Sequence, residues 1–190
     1  MALLPDCRNR VGVNGRRAVR LAVALALLVS TGVLAASALA TSRSEKTLPT
    51  LNRQVFAAVN RFRVVHGLAP LRESGGLDRS ARQHSLEMGR LGYFAHDSPD
   101  GITFWKRIRH FYPSARHSYW AVGENLLWAT PSVSADRAMQ MWIASPEHLR
   151  NLMTPQWRQL GVSAVRVVRA PGIYRGLRVT IISTDFGVRR

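Results

Sequence analysis

Apolar residues recur with a helical period through the first half of this chain and alternate like strand residues towards its end. In LNRQVFAAVNRFRVVHG, residues 51–67, Leu51, Val55, Val59 and Phe62 share one helical face, and Gly67 stands where the helix should stop. GLAPLRESGG, 67–76, reads as a loop whose Leu68 and Leu71 are available for packing. LDRSARQHSLEMGRL, 77–91, predicts a second amphipathic helix with Leu77, Ala81, His84 and Met88 on its apolar face. A shorter third helix fits ITFWKRIRHF, 102–111, through Phe104, Ile108 and Phe111. YWAVGENLLWA, 119–129, is the first strand candidate. SADRAMQMWIA, 134–144, follows as a helix capped by Ser134 and ended by Ser145-Pro146. LGVSAVRVV and LRVTIISTDF close the chain as two strands around the turn-rich RAPGIYRG. Helices early and strands late predict an α+β domain, with helices packed on a small, largely antiparallel sheet.

The chain ahead of this domain has a different character. Arg8, Arg10, Arg16, Arg17 and Arg20 precede an uncharged run, 21–40, that ends in Ala38-Leu39-Ala40. That order reads as a secretory signal cleaved before Thr41, and the run is also long enough for a retained membrane anchor. Residues 41–50 are then a short flexible lead-in, and 51–190 a single domain.

Charge changes the picture of what surrounds the protein. Residues 41–190 hold 22 Lys and Arg against 10 Asp and Glu, a net charge of about +12, nearly all of it arginine. The cations are scattered, which argues for a basic solvated surface rather than dedicated nucleic-acid binding. Outside the cell such a surface is drawn to anionic headgroups or acidic wall polymers. The sole cysteine, Cys7, lies in the leader, so 41–190 has no disulfide and no thiolate chemistry.

Three polar positions interrupt the apolar pattern. Glu124 falls on the same strand face as Val122, Leu126 and Trp128, where an unpaired carboxylate would cost several kcal/mol or take up a proton. His96 lies in YFAHDSPDG, between aromatics and a Ser-Pro-Asp-Gly turn. His148 lies in SPEHLRNLM, read as a loop after a helix end. Two imidazoles and a carboxylate can share protons or bind a divalent ion. Ser98 and Ser145 are near these histidines in sequence, yet no G-x-S-x-G or H-E-x-x-H pattern is present.

YFAHDSPDG, GENLLWA, MWIASPEHLRNLM and the terminal STDFG occur in an order that resembles the CAP superfamily. That family groups cysteine-rich secretory proteins, venom antigens and plant pathogenesis-related proteins with many bacterial secreted proteins. VNRFRVVHGLAPL and LDRSARQHSLEM resemble the opening helices of its bacterial branch, so the resemblance spans about residues 51–187. It implies an α-β-α sandwich with a cavity lined by histidines and acidic residues. His96 matches the family histidine after the second helix, Glu124 the glutamate of the GEN motif, and His148 the second cavity histidine. Ser145 joins them as a candidate cavity residue. Pairing with Glu124 would raise the histidine pKa values. His96 and His148 would be the ligands of zinc or magnesium, completed by water. Many eukaryotic members carry a second cavity glutamate three residues after a helix tryptophan. Here Ser145 follows Trp142-Ile143-Ala144, and Glu147 does not match that position. The resemblance implies a secreted or envelope module that binds a ligand, a lipid or a protein partner. A metal-assisted or serine-type hydrolase built on His96, Glu124 and His148 is the alternative, and a purely structural polar network is the simplest reading.

Overall fold

The computed structural model describes residues 44–190, so the expected signal segment, 1–40, lies outside the described residues. In chain order the elements are β1 (Glu45–Thr47), α1 (Pro49–Val65), β2 (Arg72–Glu73), α2 (Gly75–Leu91), α3 (Phe104–Phe111), β3 (Trp120–Ala129), α4 (Ala135–Ile143), α5 (Pro146–Met153), β4 (Gln159–Val167) and β5 (Val179–Arg189). The sheet runs β1-β4-β5-β3 with antiparallel neighbours, and β2 adds a short parallel pairing to β4.

Both faces of this sheet are covered, which makes the domain an α-β-α sandwich. Strands buried on two sides carry apolar residues at consecutive positions. One face presents Leu127, Val162, Ile182 and Phe186 to Val55 and Val59 of α1, Trp142 of α4 and Leu152 of α5. The other presents Leu126, Val165 and Ile181 to Met88 of α2, beside a smaller cluster of Leu77, Ile108 and Tyr112. Leu77, Ala81, His84 and Met88 are all fully buried, as the helical period predicts. Gly161 of β4 lets α2 lie directly on the sheet: a Cβ there would stand 2.2 Å from the Leu77 carbonyl carbon.

Three expectations need correction. Glu45–Thr47, in the expected flexible lead-in, pairs with Thr47 opposite Val165 on β4, and α1 begins at Pro49. Proline fits that first helical position because its missing N–H has no partner there in any helix. SPEHLRNLM is not a loop; Ser145-Pro146 ends α4 and starts α5, so His148 sits on a helix. The same proline rule operates at both ends, and sequence alone does not say which side of Pro146 is helical. The loop 67–76 contains β2, whose two residues are too few to show a period. Elsewhere the caps behave as read, with Ser134 Oγ accepting from Arg137 N at 3.2 Å. Among the described residues no helix is long and apolar enough to cross a membrane.

Candidate functional site

The GEN triplet of β3 divides its side chains between the two faces of the sheet. Gly123 and Asn125 look towards α5. A Cβ on Gly123 would meet Trp157 at 2.9 Å and Asn151 Oδ1 at 3.0 Å. Asn125 Nδ2 donates to the His148 carbonyl at 3.0 Å, and Asn151 Nδ2 donates to the Glu124 carbonyl at 2.9 Å. Glu124 points the other way, beneath α2 and α3. Its side chain is 1 % exposed, and both carboxylate oxygens are engaged. Oε1 accepts from His96 Nδ1 at 2.8 Å, and Oε2 accepts from Arg107 Nη2. Arg107, itself 3 % exposed, also donates Nη1 to the His96 carbonyl at 2.8 Å.

His96 owes its position to a firmly bonded loop between α2 and α3. Gly92 ends α2 in the left-handed region, φ +77°, and a Cβ there would lie 2.6 Å from the Pro171 carbonyl. Glu87 Oε2 accepts from Tyr93 Oη at 2.8 Å and from Ser98 Oγ at 2.9 Å. His84 Nε2 donates to the Ala95 carbonyl at 2.9 Å. Asp97 Oδ1 accepts from Phe104 N at 2.8 Å, which satisfies a free amide at the start of α3.

The imidazole pKa values move in different directions as a result. The hydrogen bond that His96 donates to Glu124 raises the His96 pKa above its usual value, against a smaller opposing effect of burial. Burial lowers His84, and its bond to a carbonyl leaves Nδ1 as the lone-pair nitrogen near Tyr93 Oη at 3.4 Å. His148 departs from the expectation that both cavity histidines are raised. Burial first, and the neighbouring charge of His96 second, lower it, against a smaller opposing effect of Glu147. His96 reaches the edge strand β3 from the α2–α3 side, and His148 approaches from the α5 side. Ser145 flanks α5 as its cap residue, without a capping bond from its hydroxyl. Beside Arg107, a cleft of about 370 Å³ opens between α2 and α3, with Glu87, Ser98, Asp100 and His110 among its walls.

Within the His96–Glu124–Arg107 set, His96 Nε2 is the nitrogen left open to a ligand. The Nδ1 of His96 and both oxygens of Glu124 are committed to each other and to Arg107. Among the described residues no group of three or more His, Cys, Asp or Glu is arranged to hold a metal ion. Calorimetric titration with zinc is expected to show no stoichiometric uptake. Heat that both His96→Ala and His148→Ala abolish would overturn this statement.

A sequence profile of the cysteine-rich secretory protein family, CAP, matches residues 56–169. The chain belongs to this family. CAP relatives include the uncharacterized protein YkwD of Bacillus subtilis, 27 % identical over 125 residues, which are 66 % of this chain and 46 % of YkwD. The uncharacterized membrane protein YlbC of the same organism is 28 % identical over 122 residues, 64 % of this chain and 34 % of YlbC. The chain thus spans less than half the length of these relatives. An extracellular SCP-domain protein of Bacillus anthracis superposes with a TM-score of 0.58 at 26 % identity, over 75 % of this chain and 41 % of that one. An outer surface protein of Borrelia burgdorferi shares the fold, with a TM-score of 0.60 at 17 % identity over 77 % and 100 % of the two chains.

The CAP site contains Arg107, which the sequence pattern did not single out, and Asp185, which it carried only within the STDFG motif. Arg107 stands at helical spacing i+3 from Phe104, within the apolar stripe that includes Ile108 and Phe111. An arginine inside a buried stripe is the same signal as a glutamate on a buried strand face. Asp185, near the end of the last strand, lies directly opposite Glu124 in the β3–β5 register and is fully buried. His84 was expected in the core and is there, but its bond to Ala95 also fixes the residue before His96.

Proposed function

We propose that this CAP domain is a binding module of the cell envelope or extracellular space, whose recognition group is the His96 imidazolium. One observation carries the reading: the His96 side chain is 50 % exposed while its Nδ1 is held by a buried carboxylate. Such an imidazole turns its Nε2–H outward as a preorientated, charged donor. The matching ligand group is a phosphate or carboxylate, such as an anionic lipid or wall polymer supplies, and the excess of arginine would draw it in. A hydrolase has less support. Ser98 Oγ donates to Glu87 rather than to an imidazole, and among the described residues the Ser145 hydroxyl bonds neither histidine.

Co-sedimentation with phosphatidylglycerol vesicles, against neutral phosphatidylcholine vesicles, tests the proposal. Binding to the anionic vesicles should fall about tenfold or more in His96→Ala, the worth of one charge-assisted hydrogen bond. Because the folded His96 pKa is raised, binding should be full below about pH 6.5 and fade as pH climbs through the raised value. Binding that is unchanged in His96→Ala and indifferent to pH in that window would assign it to the general basic surface and sink the proposal.

A further inference from the structure

The His96–Glu124–Arg107 site accounts for one buried carboxylate, but the sheet holds a second. Asp185 on β5 pairs in register with Glu124 on β3. Asp185 is 0 % exposed, and neither of its oxygens has a hydrogen-bond partner among the described residues. Its neighbours are few in kind. From α2 comes Ser80, whose buried hydroxyl is also without a partner. From β4 comes Gly161, which brings no charge. From β3 comes Glu124, and from α3 comes Arg107. His84 of α2 faces the same two charged groups, and burial disfavours its charged form.

One guanidinium therefore faces two buried carboxyl groups, and its Nη2 is already spent on Glu124. An ionised Asp185 would be a fully buried charge with no hydrogen bond, set beside the charge of Glu124, while the two cations, Arg107 and His96, are both bonded to Glu124. Like charges so placed do not both ionise; one keeps its proton. The geometry points to Asp185 as a neutral carboxylic acid that keeps its proton beside the ionised Glu124. It is thus a positioning residue that leaves Glu124 as the one anion facing Arg107 and His96. Glu124 is the member that carries the charge, because it alone is bonded to Arg107 and His96. Burial first, and the Glu124 charge second, push the Asp185 pKa well above the usual carboxylate value, in the same direction. The inference concerns where a proton resides and holds whether or not His96 binds a ligand.

A proton kept by the folded state has a measurable consequence. An acid whose folded pKa is raised contributes stability below its unfolded pKa, about 3.9, and that contribution is lost as pH rises towards the folded value. Asparagine has the same shape and no proton to lose. Asp185→Asn should therefore melt with wild type at about pH 3 and several degrees above it at about pH 7. In the purified wild-type protein, carbon-13 spectra of labelled aspartate should show one carboxyl still protonated at about pH 7, a signal missing from Asp185→Asn. The His96 titration should be unmoved by the substitution, since no charge is removed. If no aspartate is protonated at neutral pH in wild type, the inference fails without reference to any variant. It fails equally if Asp185→Asn is less stable than wild type at about pH 7, or if it lowers the His96 pKa as the loss of a nearby anion would.

Discussion

Replacing Arg107 by methionine should destabilise the protein by about 3–5 kcal/mol at neutral pH, the cost of leaving a buried carboxylate without its partner. Domains of this kind are stable by about 5–15 kcal/mol in total, so the loss is a large share of what holds the fold. Methionine has a similar length and no charge, so packing against α2 and the sheet is largely kept. What goes is the guanidinium between Glu124 Oε2 and the His96 carbonyl. The damage therefore has two parts, an uncompensated charge under the sheet and a released loop at His96. Urea unfolding of Arg107→Met, Glu124→Gln and the double variant separates them. The double variant should recover most of the loss, because removing both charges removes the buried imbalance. Simple additivity of the two single costs would mean that Arg107 and Glu124 act independently and that the ion pair does not organise the site. Acid should narrow the gap between Arg107→Met and wild type, as Glu124 takes up the proton that replaces its partner.

Gly161→Ala is expected to be a severely damaging change for a single methyl group. The new Cβ would lie 2.2 Å from the Leu77 carbonyl carbon, 2.3 Å from Asp78 N and 2.5 Å from Leu77 Cβ. Two of these atoms are backbone of α2, so no rotamer relieves the clash. Either α2 lifts off the sheet or β4 buckles. Both break the bond from Val162 N to Asp78 Oδ1, now 2.8 Å, and separate α2 from the strands that carry Asp185 and Glu124. A loss above about 4 kcal/mol follows, in the range reserved for substitutions with a specific steric cause. Gly123→Ala provides the comparison. Its Cβ would meet side-chain atoms of Trp157 and Asn151 at 2.9 and 3.0 Å, which can shift. Thermal melts should place Gly161→Ala far below Gly123→Ala. If the two melt together, α2 is less closely seated on β4 than these distances state.

The sequence carried more of this protein than its elements. The helical stripe of 77–91 predicted four buried positions, His84 among them, and all four are buried. The alternation of 122–128 located a carboxylate on an inward face before any partner was known, and Glu124 is buried there. Motif order alone was enough to imply the family and the α-β-α layers. Local signals were weakest where one residue serves two elements, as at Pro146, and where an element is only two residues long, as in β2.

What sequence determined by itself is which side chains face inward, because the periods of helix and strand are properties of the backbone. A glutamate, an arginine and an aspartate must therefore each find an answer inside the protein. Which of them answers which was decided only by the tertiary structure. Arg107 lies 17 residues from Glu124 in the chain, and Asp185 reaches it only through the pairing of β5 with β3. Charges in a low-dielectric interior act across space rather than along the chain. The direction in which each group's pKa moves is therefore set by register and helix seating.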